Sequence, residues 1–179
     1  MKTEKPLDPK LFRGIKALLL DADGVLTDGS IIYDGGGREV KVFSVRDGLG
    51  IRLLADAGIP VGILTGRSSP ALRARCENLS VKHLWDGVSD KADFLAAVSR
   101  AFGAELPEIC YVGDDLPDIP VMLRVGLPVA VADAHPEAIA AARAVTLARG
   151  GRGAVREVCE AILRGRGLWD KALARFTGI

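Results

Sequence analysis

Short apolar runs that end on acidic or small polar residues recur along this chain, and amphipathic stretches separate them. The first, IKALLLD from Ile15, is nearly continuous in apolar residues, as a strand buried on both faces should be, and it puts Asp21 at its carboxyl end. SIIYDGGGREVKVF places a β-prone stretch on each side of Gly35, Gly36 and Gly37, which predicts a hairpin whose tip projects from the sheet. After Asp47, apolar residues at Leu49, Leu53, Leu54 and Ala57 fall at helical spacing, and Gly58 stands where a left-handed cap would end that helix.

The alternation continues to the far end. PVGILTG reads as a second buried strand, a helix is predicted from about Pro70, HLW is a short strand, and a helix from Lys91 carries Phe94, Leu95, Val98 and Phe102. ICYVGD, PDIPVMLRV, LPVAVAD, HPEAIAAA and AVT keep the rhythm, and GAVREVCEAILRG closes it as an amphipathic helix. Strand and helix trading places in this way predicts a three-layer, Rossmann-like α/β fold with a parallel sheet, in which ligands bind beyond the carboxyl ends of the strands.

Composition narrows the class. At 179 residues and 49% hydrophobic content, the chain suits one domain over 1–179, with a core at about 12–163 and a tail at about 164–179. Lys+Arg at 24 against Asp+Glu at 23 gives a formal net charge of +1, so no global field favours nucleic acid or an anionic membrane. Cys76, Cys110 and Cys159 are odd in number and form no C-x-x-C pair, which disfavours a disulfide framework or a zinc site and suits a reduced, cytoplasmic setting. The N-terminal MKTEKPLDPK lacks the apolar core of a secretory signal, and no apolar run is long enough to span a bilayer.

The chemistry is expected at the strand ends. LLLDADGVLTDG sets Asp21 and Asp23 two apart where the chain leaves a strand, with Gly24 allowing a sharp turn, so both carboxylates can face one pocket. YVGDDLPDIP adds Asp114 and Asp115 at another strand end and Asp118 in the next turn. Any one of these alone reads better as a turn former or helix cap. Together they are costly to pack without a cation, and hard oxygen ligands without matching His or Cys point to Mg²⁺. Thr65 in TGR can bind a phosphoryl oxygen through its hydroxyl and backbone N–H, and Lys91 can bring a positive charge to the same group.

The ordered series DADGV, ILTGR, a helix-opening Lys91 and GDDLPD resembles the four motifs of the haloacid dehalogenase superfamily. The resemblance implies that Asp21 is the nucleophile, that Asp23 is the general acid and base, and that Thr65 and Lys91 bind the transferred group. Asp21, the Asp23 backbone carbonyl and Asp114 would hold Mg²⁺, with Asp115 or Asp118 in support. A carboxylate nucleophile needs such neutralisation of the phosphoryl charge.

The hairpin and one helix fill the stretch from Asp21 to Thr65, and scaffold elements fill that from Thr65 to Asp114, so no cap domain fits. An acyl-phosphate needs shielding from water. A neighbouring subunit is therefore expected over the site, with the hairpin as the contact, and the resemblance to capless members implies a homotetramer. Arg46, Arg52, Arg67 and Arg75 exceed what one phosphate needs and suggest a second anionic group, such as a carboxylate, on the substrate. Arg52 and Arg75 read as readily as solvated helix residues paired with Asp56 and Glu77.

DADGVLTDG, FSVRDGLGI, ILTGR, ARC, GDDLPD, VGLPVAVADAHP and GGRGAVREV, spread from about Phe12 to Leu163, closely resemble the 3-deoxy-D-manno-octulosonate 8-phosphate phosphatase family. That resemblance implies hydrolysis of this sugar-acid phosphate in lipopolysaccharide precursor synthesis. It also implies substrate contacts from Asp23, Ser44, Val45, Arg46, Asp47, Gly48, Arg52, Thr65, Gly66, Arg67, Arg75 and Lys91. Arg152, in the glycine-rich ARGGRGAVRE, would reach a neighbouring site. LWDKALARFTGI departs from the family's ending. Two rivals remain: a phosphatase of a related nonulosonate 9-phosphate, and a non-catalytic assembly module of the same fold.

Overall fold

A computed structural model describes residues 5–178, so the first four positions of the N-terminal stretch lie outside the described residues. Leaving the core strand β1 (Ala17–Leu20), the chain forms a hairpin of β2 (Ile32–Tyr33) and β3 (Glu39–Val40), then α1 (Val45–Asp56) and β4 (Val61–Leu64). It continues through α2 (Pro70–Leu79), β5 (His83–Trp85), α3 (Leu95–Phe102), β6 (Ile109–Gly113), α4 (Ile119–Met122), β7 (Leu127–Ala130), α5 (Pro136–Ala141), β8 (Ala144–Val145), α6 (Ala154–Gly165) and α7 (Trp169–Thr177).

Six strands pair in the order β5-β4-β1-β6-β7-β8, all parallel, and the strand order turns at β1. β1, β4, β6 and β7 are buried along their whole lengths, which is why they read as unbroken apolar runs. Parallel strands joined by helical crossovers, with the order running both ways from β1, leave helices to cover both faces of the sheet. α1 packs against α6, and α4 against α5. No cap domain interrupts the scaffold, and no helix is long and apolar enough to cross a membrane among the described residues.

Four details differ from the sequence expectation. Ser44 accepts a bond from Asp47 N–H at 3.3 Å and starts α1 at Val45, before Asp47. Leu49 faces solvent at 38% exposure, because the buried side of α1 is marked by Gly48 and Gly50 as well as by Ile51 and Leu54. A Cβ at Gly50 would lie 3.1 Å from Cys159 Cβ, so α6 packs where α1 carries no side chain and the apolar period is blurred. Lys91 opens a single 3₁₀ turn, Lys91–Phe94, before α3 proper. α6 does not close the chain, since α7 follows, with Trp169 stacked under Arg164 at 4.3 Å and Arg175 paired with Asp56.

Candidate active site

β1 and β6 are hydrogen-bonded neighbours, so Asp21 and Asp114, each one residue past its strand, emerge side by side. The Asp21 N–H donates to the Val112 carbonyl at 3.0 Å, holding this register to the last residue. Gly24 then turns at φ +87°, a left-handed value that favours glycine. A Cβ there would lie 2.0 Å from Asp114 Oδ2, so the bare glycine leaves the space that the second carboxylate occupies.

Asp118 organises the cluster. Its Oδ1 accepts from Lys91 Nζ at 2.6 Å and from the Tyr111 hydroxyl at 2.6 Å, while Oδ2 accepts from the Asp114 and Asp115 N–H groups at 2.8 and 3.2 Å. Lys91 Nζ also stands 2.8 Å from Asp21 Oδ1. That contact is an ion pair without good hydrogen-bond direction, since Oδ1 is buried with no properly directed donor. Oxygens of Asp21, Asp114 and Asp118 lie within 4.8 Å of one another.

The charges respond to this crowding. Burial, then repulsion from Asp118, pushes the Asp21 carboxyl up to about 6 despite the opposing pull of Lys91. Burial, then Asp21, Asp118 and Asp115, pushes Asp114 up to about 8. Burial pulls the Lys91 ammonium down, but Asp21 and Asp118 outweigh it and hold its pKa above the usual lysine value. A divalent cation would reverse the strain on the acids. Since both oxygens of Asp118 are hydrogen-bonded, Asp21 and Asp114 are the side chains of this group left with oxygens for a cation such as Mg²⁺, and Asp118 supports them. Asp115 does not reach in: its Oδ1 accepts from the Leu116 N–H at 2.8 Å and caps the following turn.

Thr65 follows β4 and is buried, with its hydroxyl accepting from the Arg67 N–H at 3.4 Å. Its own N–H continues the sheet by donating to the Trp85 carbonyl at 2.9 Å, so only the hydroxyl is left for a phosphoryl oxygen, contrary to the sequence reading. The Gly66 N–H has no protein acceptor among the described residues. Arg67 Nη2 donates to Glu39 at 2.9 Å and its Nε stands 3.7 Å from Asp23 Oδ2, so this arginine lies at the carboxylate cluster.

The remaining expected contacts separate. Asp47 is buried in the first turn of α1, where it accepts from the Gly153 and Arg156 N–H groups at 3.2 and 2.8 Å and caps α6. It is a structural residue here, and Gly48 beside it provides the gap that Arg75 fills, a Cβ there lying 2.3 Å from Arg75 Nη2. Arg75 donates to the Ser44 carbonyl at 3.0 Å and lies over the Phe43 ring, and Arg52 donates to the Asn78 carbonyl at 2.8 Å. Neither takes Asp56 or Glu77 as partner. Ser44, Val45, Arg46 and Arg152 line a cleft of about 280 Å³ with Asp28, to which Arg152 is paired at 3.2 Å.

Comparison with known proteins decides what this assembly belongs to. Residues 83–156 match the model of the haloacid dehalogenase-like hydrolases. A 3-deoxy-D-manno-octulosonate 8-phosphate phosphatase from Escherichia coli K12 is 48% identical over 158 residues, 88% of this chain and 84% of the relative. The chain belongs to the 3-deoxy-D-manno-octulosonate 8-phosphate phosphatase family. Solved members share its fold: the Yersinia pestis phosphatase superposes with a TM-score of 0.87 at 44% identity, covering 91% of this chain and 89% of its own. The Moraxella catarrhalis phosphatase, solved with a magnesium ion, a phosphate ion and KDO, gives 0.90 at 39% identity over 94% of this chain and 97% of its own.

Three groups at the site of this family member escaped the sequence reading: Tyr111 inside β6, and Glu39 and Lys41 on the hairpin. Tyr111 sat in an apolar run and looked like core, and burial with the adjacent Asp118 charge raises its hydroxyl well above the ordinary value. Lys41 and Glu39 alternate along a strand-like segment and looked like solvated charges. Only the fold shows that the hairpin returns over Asp23.

Proposed function

We propose that the pocket beyond β1, β4 and β6 hydrolyses 3-deoxy-D-manno-octulosonate 8-phosphate to the free sugar acid and phosphate through an aspartyl-phosphate on Asp21. The observation that carries this reading is Lys91, an ammonium 2.8 Å from Asp21 and 2.6 Å from Asp118 in a buried cluster with Asp114. So much paired charge in a core is expensive unless it performs chemistry or holds a cation.

Asp21 attacks phosphorus as the ester P–O bond breaks. Asp23 gives a proton to the departing 8-oxygen, then takes one from the water that releases phosphate from Asp21. Lys91 and the Thr65 hydroxyl offset the charge that develops on the phosphoryl oxygens. Mg²⁺, held by Asp21, Asp114 and the Asp23 carbonyl, would supply further neutralisation of that group. Burial of Asp21 and Lys91 keeps bulk water from the acyl-phosphate.

Arg67 at the cluster, and Arg46 and Arg152 along the adjoining cleft, suit the substrate's carboxylate. Ser44, Val45, Gly66, Arg52 and Arg75 complete the proposed surround, the two arginines by holding the α1–α2 side in place. The enzyme works as a homotetramer in which neighbours cover each site. Ile31, Ile32, Tyr33, Val40, Val42 and Val45 support this, since they leave a large apolar surface exposed around the hairpin. An active monomer by light scattering would contradict the tetramer. The buried free thiols of Cys76, Cys110 and Cys159 suit a reduced cytoplasm, and one domain over 1–179, with α7 docked on α6, suits the continuous core. Membership of this family supports a role for the reaction in lipopolysaccharide precursor synthesis.

Phosphate release from the sugar-acid ester, measured with magnesium and with chelator, tests the reading. Turnover with magnesium that vanishes in chelator and in Asp21→Asn, with the fold retained by circular dichroism, is the expected result. Near-normal turnover by Asp21→Asn would overturn it.

A further inference from the structure

Lys41 lies one residue past β3, its side chain is only 2% exposed, and its ammonium pairs with Asp23 Oδ1 and with Glu39 Oε1, the latter at 3.2 Å. Removing an ammonium from water costs several kcal/mol unless acids compensate it, so these two carboxylates are what keep Lys41 inside. Glu39 is itself held by Arg67 Nη2 at 2.9 Å, and Arg67 Nε stands 3.7 Å from Asp23 Oδ2.

The two oxygens of Asp23 are therefore unequal. Oδ1 is clamped by the buried ammonium, while Oδ2 is buried with no hydrogen bond. A carboxyl that must give and retrieve a proton needs one oxygen free and the whole group fixed in rotation. A lysine on the first oxygen leaves the second as the proton-carrying atom. We infer that Lys41 is a positioning residue for Asp23, and that Glu39, by holding Lys41, makes the hairpin part of the proton-transfer apparatus rather than only a contact between subunits. This rests on the reading of Asp23 as general acid and base. Within it, Oδ2 loses its proton to the leaving oxygen as the ester bond breaks and the Asp21–phosphorus bond forms.

The test exploits leaving-group dependence, because kcat/KM reports only steps up to formation of the aspartyl-phosphate. A sugar 8-oxygen is a poor leaving group and needs the proton, whereas the phenolate of p-nitrophenyl phosphate does not. Lys41→Met in the full chain is expected to lower kcat/KM about 100-fold on 3-deoxy-D-manno-octulosonate 8-phosphate and less than about fivefold on p-nitrophenyl phosphate, within the range general acid catalysis supplies. Lys41→Arg, which keeps a cation, should recover at least about a tenth of the lost rate. Should Lys41→Met fail to melt cooperatively, Lys41→Gln carries the same comparison. Equal losses on both esters, or none on either, would overturn the role of Lys41. Asp23→Asn separates the two readings: a selective loss there without one at Lys41 sinks the positioning role alone, and an unselective loss at Asp23→Asn sinks the acid assignment.

Discussion

The strand-end cluster and the arginine-bearing surround handle anions in opposite ways. Asp21, Lys91, Asp114 and Asp118 sit on the ends of buried strands and one helical turn, and every oxygen of Asp118 has a partner inside the protein. Arg46 and Arg52 stand on α1, Arg67 in the loop after β4 and Arg75 on α2, and those with partners use carbonyls or acids that water or a ligand can replace. Fixed charge in a dry site acts strongly on a developing transition state, whereas exposed, exchangeable charge acts on encounter and fit. Chemistry is assigned to the first region and selectivity to the second.

The largest effect should come from breaking the fixed region at its organiser. Asp118→Asn leaves Lys91 with one fewer acid and takes the acceptor from two of the four donors that Asp118 serves, so turnover should fall at least about 100-fold and the melting temperature should drop, the loss of one partner from a buried pair costing about 3–5 kcal/mol. Initial rates and thermal melts check both. A fully active Asp118→Asn would mean that the cluster needs no organiser.

Next in size is pH. Asp114 at about 8 and Asp21 at about 6 both lie above the unfolded value of 3.8, so the folded, metal-free protein binds more protons than the unfolded chain. Its stability should therefore fall as pH rises from about 4 to about 8. Magnesium must displace those protons, so between about 6 and about 8, where only Asp114 still holds one, its affinity should climb up to about tenfold per pH unit and then level off. Calorimetric titration at several pH values reads this directly, and a flat affinity would show that the acids are already ionised.

The exchangeable region should give smaller numbers. Arg67→Ala is expected to raise KM for the sugar-acid ester about tenfold with a lesser effect on kcat, the value of one charge-assisted hydrogen bond. Arg52→Ala should change kcat/KM by no more than about threefold, because its contact is an exposed one to the Asn78 carbonyl. Equal effects from the two would erase the distinction between an arginine at the cluster and one beside it.

How much of this was legible in the sequence follows from the same division. β1, β4 and β6 are buried on both faces and so announce themselves as apolar runs, and their terminal residues, Asp21, Thr65 and Asp114, come with them. Gly24 was legible as a turn, though its reason, the proximity of Asp114, was not. Asp47 misled because its motif runs without a break into the arginine-bearing segment. Its partners, the N–H groups of Gly153 and Arg156, lie over 100 positions away in the chain, where no local pattern points. Lys41 and Tyr111 were hidden for related reasons. A charged residue in a hairpin looks solvated and a tyrosine in a strand looks like core until the fold brings each against an acid.

The central claim is a covalent phosphoryl group on Asp21, and the stereochemistry at phosphorus tests it most directly. A phosphorothioate analogue of the substrate made chiral at phosphorus with oxygen isotopes, hydrolysed by the intact enzyme with magnesium in water carrying the third isotope, should give chiral thiophosphate with net retention, because transfer to Asp21 and then to water inverts the centre twice. Net inversion would mean that water attacks the ester directly and would contradict the nucleophilic role of Asp21.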